Sequence, residues 1–328
     1  MTKYQVVGIG NAVVDVISQC DDAFLTEMGI EKGIMQLIDQ ERGEALYGAM
    51  QNRTQMSGGS VANTIAGLGA LGLSTGFIGR VNDDELGHFY ADGMSEVGTD
   101  FVNAPVPDAE MPTSRSMIFV SPDGERSMNT YLGISTELGP EDVDDAVAGG
   151  AELLFLEGYL FDKDKGKAAF QAAARACRES GGKAGISLSD PFCVDRHRAD
   201  FRSLAQELDY VIGNEQEWLS LYETDDLGTA LETAAAESGL IVCTRSGHDV
   251  VIVQGDESVT VPVNEVAPVD TTGAGDQFAA GFLYGVATNQ SLETSGRMGC
   301  IAAAEVIGHY GARPEADVKA MFLAAGLI

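Results

Sequence analysis

The chain has 328 residues, room for one large α/β domain or two smaller ones. Apolar residues make up 45%, which excludes a disordered chain, and no apolar run reaches the ~20 residues that a membrane-spanning helix needs. Lys and Arg total 20 against 50 Asp and Glu, a formal charge of −30 that repels nucleic acid and anionic membranes and leaves an anionic ligand dependent on local positive potential.

The opening MTKYQVVGIG has one Lys, a strand-like run and no cleavage pattern, so no signal peptide is expected. Five scattered cysteines (Cys20, Cys177, Cys193, Cys243, Cys300) form no C-x-x-C pair, which suits free thiols in a reducing cytoplasm. Lys3–Ile9 reads as a strand, Ser60–Leu71 as a small-residue packed helix and Ser74–Ile78 as a strand. Leu153–Leu156 is a short strand, and Lys165–Glu179 a helix stopped at Gly181-Gly182. Gly185–Leu188, Tyr210–Ile212, Leu240–Thr244 and Val250–Gln254 are further strands, with a helix at Asp226–Glu237. Phe278–Ala287 and Met298–Ile307 read as buried helices. Such alternation predicts an α/β fold: a mostly parallel sheet with helices on both faces.

Two regions break the alternation. Residues 12–55 hold the β-rich pieces Ala12–Ser18 and Ile34–Ile38, and residues 111–132 read as a hairpin of Ser114–Val120, a Ser121–Gly124 turn and Arg126–Tyr131. They are expected to pair as a small, discontinuous β lid over the large domain, all within one unit spanning 1–328.

The familiar nucleotide fingerprints fail. Gly67-x-Gly69-x-x-Gly72 falls inside a helix, and Gly8-x-Gly10 is followed by Val13 where a third glycine belongs. There is no P-loop and no H-E-x-x-H, and His88, His197, His248 and His309 stand alone. Gly273-Ala274-Gly275-Asp276 opens an apolar segment, where unpartnered amides and the macrodipole of a helix start could hold an anion. Asp276 there could take a proton from a hydroxyl, a kinase design without a P-loop lysine; a connecting glycine loop would explain the same letters. In Met56-Ser-Gly-Gly-Ser-Val-Ala-Asn63, Ser60 and Asn63 could face a polyol, and Asp15 could accept two neighbouring hydroxyls, although Ser60 could equally be a helix cap. Asn214 and Glu217, after a strand, offer hard oxygens for Mg²⁺ held mainly through water, or simply a helix cap.

Together these segments resemble the ribokinase-like (PfkB) carbohydrate and nucleoside kinases along essentially the whole chain. GGSVANTIAGLGALGLSTGFIGRVNDDELG (58–87) is similar to that family's N-terminal signature, and Asp270–Gly281 to its C-terminal one. The resemblance implies a Rossmann-like α/β domain with a β lid, ATP and Mg²⁺ as cofactors, Asp276 as catalytic base and Gly273, Ala274 and Gly275 as its anion hole. It implies Asn214 and Glu217 as the N-x-x-E pair that positions Mg²⁺, and Asp15, Gly59 and Asn63 as sugar contacts. Within the family the pattern is most similar to the adenosine kinase group: Asn11 four residues before Asp15, Gln36 near the base, Arg126 near the phosphates and Tyr159 stacked on adenine. Thr272 and Gln277 depart from the residues often found there. The nucleotide is expected along the turn Thr244–Gly247 and the helix Met298–Ile307. The expected reaction is ATP-dependent phosphorylation of a ribonucleoside 5′-hydroxyl, with adenosine foremost. A sugar kinase of the same family and a non-catalytic nucleoside or sugar sensor remain alternatives, and the failed fingerprints count against an NAD-dependent oxidoreductase. A monovalent cation (K⁺) near Asp270 and either a monomer or a homodimer are open.

Overall fold

The computed structural model describes residues 4–263 and 266–328; Lys3, where the first predicted strand begins, lies outside the described residues. The strands in chain order are β1 (Tyr4–Ile9), β2 (Val13–Gln19), β3 (Met35–Leu37), β4 (Thr54–Gly58), β5 (Thr75–Ile78), β6 (Thr99–Phe101), β7 (Ser114–Val120), β8 (Arg126–Tyr131), β9 (Ala151–Glu157), β10 (Lys183–Ser187), β11 (Tyr210–Asn214), β12 (Leu240–Arg245), β13 (His248–Gln254) and β14 (Glu257–Val261). Nine of them form one sheet in the order β14-β13-β12-β11-β10-β9-β1-β5-β6. Every pairing from β6 to β12 is parallel. The β12–β13–β14 end turns antiparallel, because only the Ser246-Gly247 turn joins β12 to β13, too short for a crossover.

Both faces of the central strands are covered, so these are largely apolar and alternate between two cores, while β13 and β14 keep exposed polar residues. Val6, Leu153, Phe155 and Tyr210 pack with the helices Ser60–Ala70 and Ala274–Ala287 on one side. Val7, Ile9, Leu154, Leu156 and Trp218 pack with the helix Asp164–Glu179 on the other. The rejected glycine fingerprint has a packing role: a Cβ at Gly8 would strike Ile65 and Val61, so Gly8 lets the Ser60–Ala70 helix lie close on β1.

The second sheet has five strands in the order β3-β8-β7-β2-β4. The expected hairpin appears with the boundaries read from the sequence: Gly124, at φ 86°, closes the turn by donating to the Ser121 carbonyl at 2.9 Å. The 12–55 and 111–132 segments meet where β2 pairs in parallel with β7 and β3 with β8. The strand Thr54–Gly58, without a β-rich signature, joins as an antiparallel edge to β2. The last predicted helix starts earlier than expected, at Leu292, because the Ser291 hydroxyl caps the amide of Thr294. Gly296 and Gly299, which weaken its local signal, are used where Ile252, Val261 and Phe278 press against the helix. All five cysteines are unpaired, and no helix among the described residues is long and apolar enough to cross a membrane.

Candidate active site

The polar groups gather at the carboxyl ends of the parallel strands, where open α/β sheets bind ligands. Asn11 follows β1, Glu157 ends β9, Asn214 ends β11 and Thr244 lies at the end of β12. Facing them is the start of the helix Ala274–Ala287, whose cap is Gly273 at φ 78°. A Cβ on Gly273 would lie 2.6 Å from Ala312, so both conformation and space require glycine there. Nothing lies within 4 Å of a Cβ built on Gly275, which leaves the helix start open to a ligand. One of the three predicted amides is already used: Ala274 donates to the Thr271 carbonyl at 3.2 Å. Gly273 and Gly275 have no backbone acceptor among the described residues, so the free amides of the predicted anion hole are theirs.

Asp276 sits in the first turn of that helix and is half-buried. Ser60 Oγ donates to its Oδ1 at 2.7 Å and Asn63 Nδ2 to its Oδ2 at 3.0 Å. Thr64 Oγ1 donates to the Asp276 carbonyl at 3.0 Å, tying the two helix starts together. Ser60 is therefore a ligand of Asp276, and the cap position of its own helix is Gly59, at φ 104°. Burial pushes the Asp276 carboxyl up to about 6, against the hydrogen bonds from Ser60 and Asn63 that favour the ionised form.

The residues just before Asp276 open onto a cleft of about 1100 Å³ lined by Asn214, Thr244, Gly247, Ala274, Gly275 and Ala304, among others. Of the predicted nucleotide residues, Asn214, Thr244, Gly247 and Gly275 share this space, walled by the helix Leu292–Val306, while Gly273 does not line it. Beneath the small sheet, Asn63, which donates to Asp276, is part of a tight chamber lined also by Asp15, Arg126, Thr272 and Arg313, with Met56 and Ile118 from the sheet. Asp15 rests against Gly58, where any Cβ would strike its carboxylate, and no donor among the described residues bonds to it. Burial pushes its carboxyl up to about 7, opposed by Arg313 and Arg126 and assisted by Asp276. Arg126 reaches from the hairpin to Asp270 at 3.0 Å and to Thr272 Oγ1 at 3.4 Å, and lies 5.7 Å from the centre of the Tyr310 ring. Asp270 also accepts the amides of Thr272 and Gly311, so one carboxylate fixes the loop before the anion hole and holds the hairpin above it.

The remaining predicted residues stand further back. Asn11 is 5% exposed, donates to Glu157 at 2.6 Å and accepts from Ser135 at 2.9 Å. Gln36 donates to Asn129 at 2.7 Å within the small sheet. Tyr159 is half-buried, with its hydroxyl donating to the Ser189 carbonyl at 3.2 Å. Glu217 is 4% exposed and closes a capping box with Asn214, accepting the Asn214 amide at 2.7 Å and its Nδ2 at 2.6 Å. Burial pushes the Glu217 carboxyl up to about 7. No group of three or more His, Cys, Asp or Glu among the described residues forms a metal cage. A divalent ion here fits only the magnesium pattern, carried mainly by phosphate and water with few protein oxygens.

Two polar residues of the site belong to no motif in the sequence. Glu157, 1% exposed, accepts the amides of Asn11 and Val61, each at 3.1 Å, and so pins the Ser60–Ala70 helix start to the end of β1. Its only local signal is an acid closing an apolar strand. Arg313 lines the chamber from a loop that the sequence leaves featureless.

The sequence model of the pfkB family carbohydrate kinases matches residues 32–319. A probable sugar kinase from Rhizobium etli superposes over 100% of both chains with a TM-score of 0.91 and 44% identity. An adenosine kinase from Sinorhizobium meliloti superposes over 98% of this chain and 99% of its own, with a TM-score of 0.90 and 45% identity. An uncharacterized sugar kinase of Archaeoglobus fulgidus is 32% identical over 250 residues, which cover 75% of this chain and 96% of that protein. With a family match over most of its length and the fold and site just described, the chain belongs to the pfkB family of carbohydrate kinases, phosphotransferases that act on hydroxyl groups of sugars or nucleosides.

Proposed function

We propose that this enzyme transfers the γ-phosphate of ATP to the 5′-hydroxyl of a ribonucleoside, with adenosine as the acceptor. The observation that carries the reading is Asp276, a half-buried carboxylate held by Ser60 and Asn63 at 2.7 and 3.0 Å, whose neighbour Gly275 lines a large cleft and whose partner Asn63 lines a chamber under a β-sheet. The 45% identity to the S. meliloti adenosine kinase across nearly both full chains supports the choice of acceptor.

In this reading the acceptor's ribose enters the chamber, which has free room for about one water (about 10 Å³) and widens as the small sheet moves, its vicinal hydroxyls meeting Asp15. Asp276 takes the 5′-OH proton as the oxygen bonds to the γ-phosphorus and the bond from that phosphorus to the bridging oxygen of ADP breaks. A base held near 6 is deprotonated at neutral pH yet basic enough to share the proton in the transition state. The free amides of Gly273 and Gly275 face the transferred group, and Arg126, held by Asp270 at 3.0 Å, adds guanidinium donors beside them. These local groups offset the −30 background that opposes ATP. Asn214, with Glu217 behind it, would hold a hydrated magnesium ion at the cleft, and that ion supplies charge neutralisation on the phosphates. The small sheet acts as a lid that excludes water and limits ATP hydrolysis. Tyr159 would give the base an aromatic face, and Gln36 a polar contact from the sheet.

A free sugar is the second reading, favoured by the sugar kinases among the relatives. An acceptor panel of adenosine, other nucleosides, ribose and fructose, with coupled detection of ADP, separates the two. Adenosine is expected to give the highest kcat/KM; a sugar outrunning it at least tenfold would replace the nucleoside by the sugar. No ADP formation with any acceptor would point to the non-catalytic sensor.

A further inference from the structure

The chamber under the small sheet contains a cation that no motif accounts for. Arg313 lies in the loop between the helices Leu292–Val306 and Val318–Ala324, and that loop is fixed on both sides of it. Before it, the Gly311 amide donates to Asp270 at 3.0 Å and the Ala312 carbonyl accepts from Gln277 Nε2 at 3.0 Å; after it, the Glu315 and Ala316 amides donate to Glu305 at 3.0 and 2.8 Å. Pro314 further disfavours a helical backbone at Arg313. The side chain is thus delivered to the chamber wall beside Asp15 and Asn63.

Its hydrogen bonding is incomplete. A guanidinium has five N–H donors, yet the bonds it makes to described residues are one to Asn63 Oδ1 at 3.5 Å and one to the Met94 sulfur at 3.3 Å. The first is long and the second acceptor is weak. Asp15, on the same wall, has the complementary deficit: a carboxylate with no bonded donor. The charged and titratable groups facing Asp15 are Arg313 from this loop, Arg126 from the hairpin, Asp276 from the helix start and Tyr90 from the helix Glu85–Glu96.

We infer that Arg313 is a substrate-binding residue, which donates to an acceptor hydroxyl that Asp15 also engages and supplies the counter-charge that keeps Asp15 ionised. A carboxylate alone would accept two hydroxyl protons but leave their oxygens' lone pairs unbonded. A fork of donors beside it completes the diol's hydrogen bonding and orients the sugar. Burial alone favours the neutral form of Asp15, which would accept fewer hydroxyl protons, and Arg313 acts against this.

The inference rests on the reading of the chamber as the acceptor site, so one of its two tests is independent of any substrate. In the first, Arg313→Gln and Arg313→Lys are compared with wild type on adenosine, 2′-deoxyadenosine and 3′-deoxyadenosine, with thermal midpoints confirming folding. Arg313→Gln should raise KM for adenosine by roughly 10- to 100-fold, the range for a hydrogen bond to a charged group, with kcat affected much less. The loss should shrink to within about threefold on the deoxynucleoside lacking the contacted hydroxyl, since the bond is then absent from both enzymes. Arg313→Lys should recover part of the KM. In the second, the Asp15 carboxyl is titrated by ¹³C NMR without ligand, and its midpoint should rise by about one pH unit or more in Arg313→Gln. A wild type inert on nucleosides would remove the nucleoside reading, while the titration still decides whether Arg313 governs Asp15. A KM within twofold of wild type, equal losses on all three nucleosides, or an unmoved Asp15 titration would overturn the inference.

Discussion

In the proposed mechanism Asp276 is at once a member of a helix and a proton acceptor, and its neighbours keep the two roles compatible. Ser60 and Asn63 occupy one side of each carboxylate oxygen and fix the side chain without neutralising it. Asp276→Asn should lower kcat by roughly 10²–10⁴, measured by single-turnover phosphoryl transfer, with ATP affinity by calorimetry little changed; a mutant within threefold of wild type would remove the assignment. The pH profile follows from the same groups. Burial raises Asp276 to about 6 and Asp15 to about 7, and the proposed mechanism needs both ionised. The value of kcat/KM should therefore climb through pH 6–7 more steeply than one proton allows, and a profile flat down to pH 5 would contradict this.

At the scale of elements, the site depends on two helices that approach closely. A Cβ on Gly281 would strike the Met298 carbonyl, and one on Gly285 would strike the Ser295 side chain. The glycines that lower helix propensity in Ala274–Ala287 are thus what allow it to seat against Leu292–Val306. Gly281→Ala should cost about 1–3 kcal/mol, the usual range for overpacking, in urea unfolding. It should also depress kcat, because the strain moves the helix that carries Asp276; unchanged stability would show that the helices can part freely. The small sheet joins to the helix start in a second way. Arg126 from the hairpin, Thr272 and the Gly311 amide all converge on Asp270, so placement of the sheet and ordering of the loop before Gly273 share one carboxylate.

The whole molecule carries several carboxylates whose ionisation the fold opposes. Burial lifts Asp15, Glu157 and Glu217 to about 7 and Asp276 to about 6, well above unfolded values near 4. Between those limits the folded state binds more protons than the unfolded one, so unfolding free energy falls as pH rises. Their contribution is full below about pH 4 and lost by about pH 7. The −30 charge acts in the same direction, since self-repulsion grows as carboxylates ionise. The thermal midpoint should be lower at pH 8 than at pH 5.5, and raising KCl from 0.1 to 1 M should recover part of the loss as the Debye length falls from about 10 to about 3 Å. An equal or higher midpoint at pH 8 would show that the buried acids are compensated elsewhere.

The amino-acid sequence alone carried the parallel α/β alternation, the hairpin at 114–131 and the segments around Asn63, Asn214 and Asp276. Each depends on local periodicity or turn chemistry within a few residues of itself. It did not reveal the edge strand Thr54–Gly58, whose pairing comes from β2 and not from β propensity. Nor did it show that Ser60 binds Asp276 instead of capping its own helix, or that the Ala274 amide is already engaged by Thr271. Glu157 and Arg313 were invisible for the same reason: an acid at a strand end and an arginine before a proline take on meaning only beside partners more than 90 residues away. Tertiary structure decides such roles because a charge's environment is set by what packs against it, and that packing is assembled from distant parts of the chain.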